Sequence, residues 1–346
     1  MKRRLSSLDR VTLDLSAPKR PLVISMGDPA GIGPEVTAKA WQALRQGPTP
    51  FCVLGDPALY SSVQTQVIKD VSEAVEIFDE ALPIFQGFEA PGVVPGQPNP
   101  TYAGVILSAI ERGVDLVLSG QALALVTAPI AKSVVMAAGF SHPGHTEFLG
   151  ALLSTTPFDQ TRGPVMMLAV DGLRVIPVTI HCALAEVPSR LTQEAIIHAA
   201  IVTAEALKRD LGLTAPRLVI AALNPHAGED GAFGDEEGRI IAPAVAALKA
   251  KGLKVRGPLP ADSLFHTEAR ATFDAAICMY HDQALIPLKA LDFWGGTNAT
   301  LGLPIIRTSP DHGTGFDIAG RGIARPESMI AAIQMAAAMA HGRMNQ

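Results

Sequence analysis

An α/β fold, with helices flanking a mainly parallel sheet, is what this 346-residue chain predicts. Two observations carry that expectation. Short β-branched, uncharged runs alternate with segments of helical periodicity, and the runs have the look of strands buried on both faces. Three of the runs also lead into a histidine at their carboxyl end. Residues 175–180 run into His181, 218–223 into Asn224-Pro225-His226, and 275–280 into His281. Ligands of open α/β sheets bind just beyond the carboxyl ends of strands. A lone histidine there is usually a loop residue. Three imidazoles brought to one edge from three strands can close on a divalent metal and leave positions open for substrate.

Taken in order, residues 22–25 predict a short strand that feeds the glycine-rich segment 26–33. Pro34 suits the first turn of a helix, and Glu35 favours the positive end of its dipole. That helix is expected over 35–46, ending at Gly47 as a C′ glycine. Residues 51–54 form the next strand, 102–112 have helical periodicity, and 122–127 are strand-like. Thr192 caps a helix that runs to about Leu211, with Ile196, Ile197, Ala200, Ile201 and Ala204 on its apolar face. The chain closes on an alanine- and methionine-rich helix over 327–341, stopped by Gly342. No tandem repeat or low-complexity linker marks a domain boundary.

Composition narrows the class. Apolar residues make up 48% of the chain and charged residues 18%, enough for an ample core. A net charge of −5 gives no reason to expect nucleic acid or an anionic membrane as a general partner. No apolar stretch approaches the roughly 20 residues of a membrane span. The first 20 residues are basic but broken by Asp9 and Asp14, and lack a continuous apolar region. They are expected to be a frayed extension rather than a signal peptide. Cys52, Cys182 and Cys278 have no CxxC spacing, which fits reduced thiols in the cytoplasm.

The chemistry-bearing segments each have a plain structural alternative. The glycine-rich segment fails both nucleotide fingerprints. Gly33 is followed by Pro34-Glu35 where a P-loop needs Lys-Ser/Thr, and Val36 stands where a Rossmann motif needs its third glycine. A tight turn into a helix explains it equally well. The segment 141–148 holds His142, His145, Thr146 and Glu147 beside Gly144, suited to a small polar substrate or to a helix start at Thr146. After His226 come Glu229, Asp230, Asp235, Glu236 and Glu237. These carboxylates can orient ligand imidazoles, although Glu236 and Glu237 read better as a solvated acidic face. His281 is followed by Asp282 and then Lys289, with Asn298, Thr300 and Arg307 beyond. Lysine and arginine near a metal favour a phosphate ester or carboxylate ligand. The segment 308–317 is rich in glycine and small polar residues, whose amides can hold phosphate and whose carboxylates can hold ribose hydroxyls.

Taken together, these segments resemble the 4-hydroxythreonine-4-phosphate dehydrogenase family of vitamin B6 biosynthesis. The match runs through residues 25–35, Thr127-Ala128-Pro129-Ile130, Lys132, residues 142–147, the three histidine segments, Thr300-Leu301-Gly302-Leu303-Pro304 and residues 307–317. It covers nearly everything after Pro21. The resemblance implies a two-domain fold similar to isocitrate and isopropylmalate dehydrogenases, where the nicotinamide cofactor binds without a Rossmann fingerprint. It divides the chain into residues 21–130 plus about 305–346, and about 131–304, with the active site in the cleft between. The second part would carry the metal ligands and the interface of a homodimer whose active sites take residues from both subunits.

By position, the resemblance implies His181, His226 and His281 as ligands of one divalent ion (zinc, magnesium or cobalt). It implies His145, Thr146, Lys289, Asn298 and Arg307 as substrate-binding residues. Lys132 and Asp282 are the candidates for proton transfer. The implied reaction is NAD- or NADP-dependent oxidation of 4-phosphohydroxy-L-threonine, followed by loss of carbon dioxide. Residues 284–287 and 292–294, beside Lys289, are where the chain departs from the pattern. Two alternatives stay open: a threonate or erythronate 4-phosphate dehydrogenase of the same superfamily, and a hydrolase using a metal-bound hydroxide.

Overall fold

The structure is a computed structural model describing residues 20–139 and 144–345, so residues 1–19 of the expected extension lie outside the described residues. Its strands are β1 (Leu22–Ser25), β2 (Phe51–Leu54), β3 (Thr65–Ile68), β4 (Leu82–Phe85), β5 (Leu125–Thr127) and β6 (Val165–Val170). They continue with β7 (Leu173–Pro177), β8 (Arg217–Ala221), β9 (Lys254–Leu259), β10 (Ala275–Cys278), β11 (Thr297–Leu301) and β12 (Arg307–Pro310). All join one sheet in the order β3-β4-β2-β1-β5-β12-β11-β6-β7-β10-β8-β9. The fold is thus α/β with a mostly parallel sheet, one continuous sheet rather than several. Its antiparallel pairings among the described residues are β12–β11, β11–β6 and β6–β7. The first five strands and β12 fill one half of that order, and β6–β11 fill the other.

The period of two along a strand sends alternate side chains to opposite faces, and the core divides accordingly. Met167, Ala169, Ile176, Leu218, Ile220, Ala275 and Ile277 face helices Gln193–Leu211 and Ala242–Ala250. Leu168, Val170, Val175, Val219, Ala221, Ala276 and Cys278 face helix His281–Leu291 through Ala284 and Leu288. In the other half, Leu22, Val23 and Ile24 are wholly buried, in one core with Val36, Ile106 and Ile110 from helices Gly33–Leu44 and Ala103–Leu118.

Local chemistry accounts for most boundaries. Thr192 Oγ1 accepts from the Ala195 amide, and Gly212 closes the same helix at a left-handed φ of 67°. Helix Gly33–Leu44 ends earlier than expected, and Gly47 donates its amide to the Leu44 carbonyl in a following turn. The expectation at Gly342 is corrected, because the last helix runs from Glu327 to Met344 straight through it. A Cβ at Gly342 would strike the carbonyl of Asp210, so this glycine is a helix contact, not a stop. Arg343 Nε then reaches Asp210 Oδ1 at 2.9 Å, and Arg343 Nη1 donates to Pro304 O.

Candidate functional site

The three histidine-bearing strands are neighbours, in the order β7-β10-β8, and they run parallel. Their carboxyl ends therefore share one sheet edge. The chain beyond β7 stays beside β10, with the Val178 amide donating to Cys278 O and the Thr179 amide to Met279 O, before it reaches His181. His281 is the first residue of helix His281–Leu291. The His181 and His281 rings lie 6.3 Å apart, centroid to centroid. Two imidazoles on one ion have centroids about 5–6.5 Å apart at ordinary metal–nitrogen distances. His281 Nδ1 lies 2.7 Å from Asp282 Oδ1, so its N–H donates to the carboxylate and Nε2 keeps a free lone pair. Asp282 is thereby placed to orient this imidazole. His226 stands beside Phe233, with ring centroids 6.2 Å apart. Among the described residues, no three histidine, cysteine or acidic side chains come close enough to hold a metal.

The turn that carries His226 is left-handed from His226 to Asp230, with φ of 52°, 55°, 80°, 42° and 54° in succession. Only Gly228 among them lacks a Cβ, and each of the others costs about 1–2 kcal/mol in this conformation. The expectation of a solvated Glu237 is corrected here. Glu237 is 6% exposed, and its carboxylate accepts from the amides of Leu223 and Asn224 at 2.8 and 2.7 Å. Glu236 is also engaged, accepting from Asn224 Nδ2 at 2.7 Å.

The cationic part of the site is built on β11 and β12. Register pairs Thr300 with Arg307 and Asn298 with Ser309, so these four side chains share one face. Arg307 is 4% exposed; Nε and Nη2 donate to Thr127 Oγ1 at 3.1 and 2.7 Å, and Nη1 donates to Thr300 Oγ1 at 2.9 Å. Burial pulls its guanidinium down to about 10, still charged at neutral pH. Asn298 Oδ1 is buried with no hydrogen-bond partner among the described residues. Lys289 Nζ contacts Asp311 Oδ2 at 2.5 Å and stands 5.3 Å from the Phe293 ring centroid. One helix thus carries both His281 and Lys289, about 12 Å apart along its axis.

Other candidates are placed less centrally. Lys132 opens helix Lys132–Ala137 just after β5, with its side chain exposed. His145 begins helix His145–Leu152 with Gly144 at the N-cap, which puts Thr146 inside the first turn. The His145 and Thr146 side chains lie outside the described set, as do Ser141, His142 and Pro143.

Sequence reasoning passed over several residues. Asp311 pairs Lys289. His312 donates from Nδ1 to Gly313 O at 2.9 Å, leaving a buried Nε2 unpartnered among the described residues. Burial lowers the His312 pKa and favours the neutral ring. Asp28, in the glycine-rich segment, is fully buried; Oδ1 accepts from the Ala30 amide, and Oδ2 has no partner among the described residues. Burial raises its pKa. This segment also meets the 311–317 stretch: the Ile32 amide donates to Thr314 O at 2.8 Å, and a Cβ on Gly31 would lie 2.8 Å from that oxygen. Sequence alone does not show the partners of Asp311 or Glu237, which lie 22 and 13–14 residues away in the chain. The unusual Asp in a glycine-rich run was the one available hint for Asp28.

A mostly parallel α/β sheet with imidazoles beyond the carboxyl ends of neighbouring strands and a buried guanidinium on its central strands has the architecture of an α/β enzyme. The family model for the pyridoxal phosphate biosynthetic protein PdxA matches residues 47–336. A relative from Caulobacter vibrioides named 4-hydroxythreonine-4-phosphate dehydrogenase is 59% identical over 94% of this chain and 98% of its own. The crystal structure of a 4-hydroxythreonine-4-phosphate dehydrogenase from Klebsiella pneumoniae superposes with a TM-score of 0.80 at 38% identity, covering 93% of this chain and 99% of that one. A terephthalate 1,2-cis-dihydrodiol dehydrogenase from Burkholderia xenovorans matches with a TM-score of 0.63 at 27% identity, over 92% and 97% of the two chains. The chain belongs to the PdxA family.

Proposed function

We propose that the protein oxidises the secondary hydroxyl of 4-phosphohydroxy-L-threonine, with hydride passing to NAD or NADP. The product is 2-amino-3-oxo-4-(phosphohydroxy)butanoate. Its carboxylate is β to the new carbonyl, so carbon dioxide leaves readily and 3-amino-2-oxopropyl phosphate remains. The observation that carries this reading is the buried Arg307 guanidinium on one sheet face with Asn298, in a chain whose helix His281–Leu291 links His281 to Lys289. Lys289, Asn298 and Arg307 hold the phosphate, with His145 and Thr146 contacting the rest of the substrate.

His181, His226 and His281 are the proposed metal ligands. The His181–His281 spacing and the Asp282-oriented ring of His281 fit a shared ion. Imidazole donors suit zinc or cobalt better than magnesium. When bound, the ion supplies positive charge that lowers the pKa of the substrate hydroxyl. Lys132 and Asp282 are the candidates to take the hydroxyl proton, Asp282 also orienting His281. The 27–33 and 311–317 segments, in contact through Ile32 and Thr314, offer glycine-rich backbone for the dinucleotide.

The two halves of the sheet are read as two domains, split between β12 and β11, with the cleft at that junction. The site is completed across a homodimer. Ile286, Phe293 and Trp294 are 67%, 58% and 48% exposed beside Lys289, an apolar surface that a second copy would cover. Light scattering decides this: Ile286→Glu should shift a dimer toward monomer, and an unchanged dimer would move the interface elsewhere.

The reaction is tested by NADH formation at 340 nm with 4-phosphohydroxy-L-threonine and added zinc or cobalt. Silence there, with turnover of threonate or erythronate 4-phosphate, would transfer the activity to those sugar acids. Inorganic phosphate released without any dinucleotide would instead indicate hydrolysis and overturn the dehydrogenase reading.

A further inference from the structure

The ammonium of Lys289, a proposed phosphate ligand, already has an anion beside it. Nζ lies 2.5 Å from Asp311 Oδ2 and 3.4 Å from the Asp311 carbonyl oxygen. The two side chains are only 26% and 14% exposed. Asp311 is fixed in place, because its amide donates to Ser328 Oγ at 2.8 Å and that hydroxyl donates in turn to Gly296 O. Gly296 also makes room for the pair. A Cβ there would lie 3.0 Å from Asp311 Oδ2 and 3.5 Å from Lys289 Nζ. The pair stands to one side of the other proposed phosphate ligands. Register puts Asn298 opposite both Ser309 and Leu168, and Leu168 packs with Ala284 and Leu288 of helix His281–Leu291. The helix that carries Lys289 therefore lies over the sheet face shared by Asn298 and Arg307. Arg307 is held at the level of Thr300, its partner in register, through that hydroxyl. Asp311 comes four residues later along nearly extended chain, about 13 Å away, with Asn298 at the level midway between. A phosphate at Asn298 is within a side chain's reach of both cations, and an ammonium drawn toward Asp311 is drawn away from it.

We propose that Asp311 is a built-in competitor of the substrate phosphate: its carboxylate holds the Lys289 ammonium in the empty site and gives it up when a phosphate ester binds. The proposal rests on the reading of Lys289 as a phosphate ligand. Attraction between charges scales with their product. A phosphate dianion carries twice the charge of the Asp311 carboxylate and is held by Arg307 at the same time, so it wins the exchange. The ion pair given up is subtracted from the affinity of every phosphorylated ligand. Substrate and product both carry the phosphate, so the carboxylate that weakens substrate binding also reclaims Lys289 as product leaves. A ligand without a phosphate leaves the Lys289–Asp311 pair intact and is not affected by it.

The test is calorimetric binding of 4-phosphohydroxy-L-threonine and of 4-hydroxy-L-threonine to the full-length protein, supplied with zinc and without dinucleotide so that no turnover occurs. Asp311→Asn keeps the shape of the side chain and the amide bond to Ser328. It should tighten binding of the phosphate ester about 2- to 10-fold, the scale of a partly buried ion pair, and leave the unphosphorylated ligand unchanged. Lys289→Ala should weaken the phosphate ester about 10- to 150-fold. In the Lys289→Ala background the gain from Asp311→Asn should shrink, because only repulsion between carboxylate and phosphate is left to remove. Gly296→Ala crowds the pair and should act in the same direction as Asp311→Asn; it carries the test if that variant does not fold, which circular dichroism establishes. Unchanged or weaker phosphate-ester binding in folded Asp311→Asn, with affinity lost in Lys289→Ala, would overturn the competition and leave Lys289 as a phosphate ligand. An equal gain with and without Lys289 would overturn it too, since the carboxylate would then act on the phosphate directly. Wild-type affinity in Lys289→Ala would overturn the phosphate reading of Lys289 and the competition together.

Discussion

Replacing Arg307 with alanine separates a phosphate-binding residue from a structural one. The guanidinium donates to the hydroxyls of Thr127 and Thr300, among its contacts, and is 4% exposed. Burial lowers its pKa from the ordinary guanidinium value to about 10, which corresponds to a cost on the order of 3 kcal/mol for keeping it charged. The sign is that of a base whose folded-state pKa is depressed. The cost is fully present below about pH 10 and fades as pH rises from there toward the ordinary guanidinium range. Alanine removes that cost together with the hydroxyl contacts, so the thermal midpoint at neutral pH should move by only a few degrees. The loss falls on phosphate binding instead. A charge-assisted contact contributes roughly 1.5–3 kcal/mol, or about 10- to 150-fold in kcat/KM. The assay compares wild type and Arg307→Ala on 4-phosphohydroxy-L-threonine and on 4-hydroxy-L-threonine, by NADH formation. The deficit should appear on the phosphorylated substrate and largely vanish on the other. Arg307→Lys should recover part of it, since an ammonium cannot reproduce a planar fork. An equal deficit on both substrates would refute the assignment of Arg307 to the phosphate.

Three further outcomes follow from particular contacts. His181→Ala, His226→Ala and His281→Ala should each lose bound metal and activity while staying folded, because they stand beyond strand ends; metal analysis of the purified variants checks this. Gly342→Ala should destabilise the protein by about 1–3 kcal/mol, because the new methyl meets the Asp210 carbonyl at a helix crossing; an unchanged melting midpoint would refute the close approach. Asp28 has its pKa raised by burial, so the native state binds more protons than the unfolded chain and loses stability as pH rises through the window above 3.8. Asp28→Asn should therefore be more stable than wild type at pH 7, with the gap closing as pH falls; a gap independent of pH would show that charge burial is not its origin.

The parts of the fold legible in the sequence are those fixed by neighbours along the chain. β1 and β2 match the apolar runs at 22–25 and 51–54 residue for residue, since each is buried on both faces. The helix after Thr192 announces both its ends, through a hydroxyl cap and a left-handed glycine. Edge strands were harder to see. β3 is a half-exposed Thr-Gln-Val-Ile run, with no apolar pattern to distinguish it from loop. The antiparallel insertion of β11 between β12 and β6 depends on pairings more than a hundred residues apart in one direction. Gly342 misled for a related reason. A glycine after an alanine-rich run looks like a terminator until a second helix is known to press against it.

The same division runs through the candidate site. The placement of the histidines is legible because a histidine after a buried strand is a local pattern, and the sheet order sets the three strands side by side; among the described residues only the His181 and His281 rings of the three come together. The partners of the buried charges are not legible. Glu237 lies among acidic neighbours and reads as solvated, yet its carboxylate turns inward to amides at 223 and 224 that only the fold supplies. Arg307 is a candidate anion-binding residue in the sequence, but its enclosure by Thr127 and Thr300, from two flanking strands, appears only in the fold. In both cases a charge is held away from water by partners that the chain cannot place nearby by sequence spacing. Burying a charge is costly unless its partners are fixed beforehand. The contacts hardest to read from the sequence are therefore the ones on which the fold spends its buried polar groups.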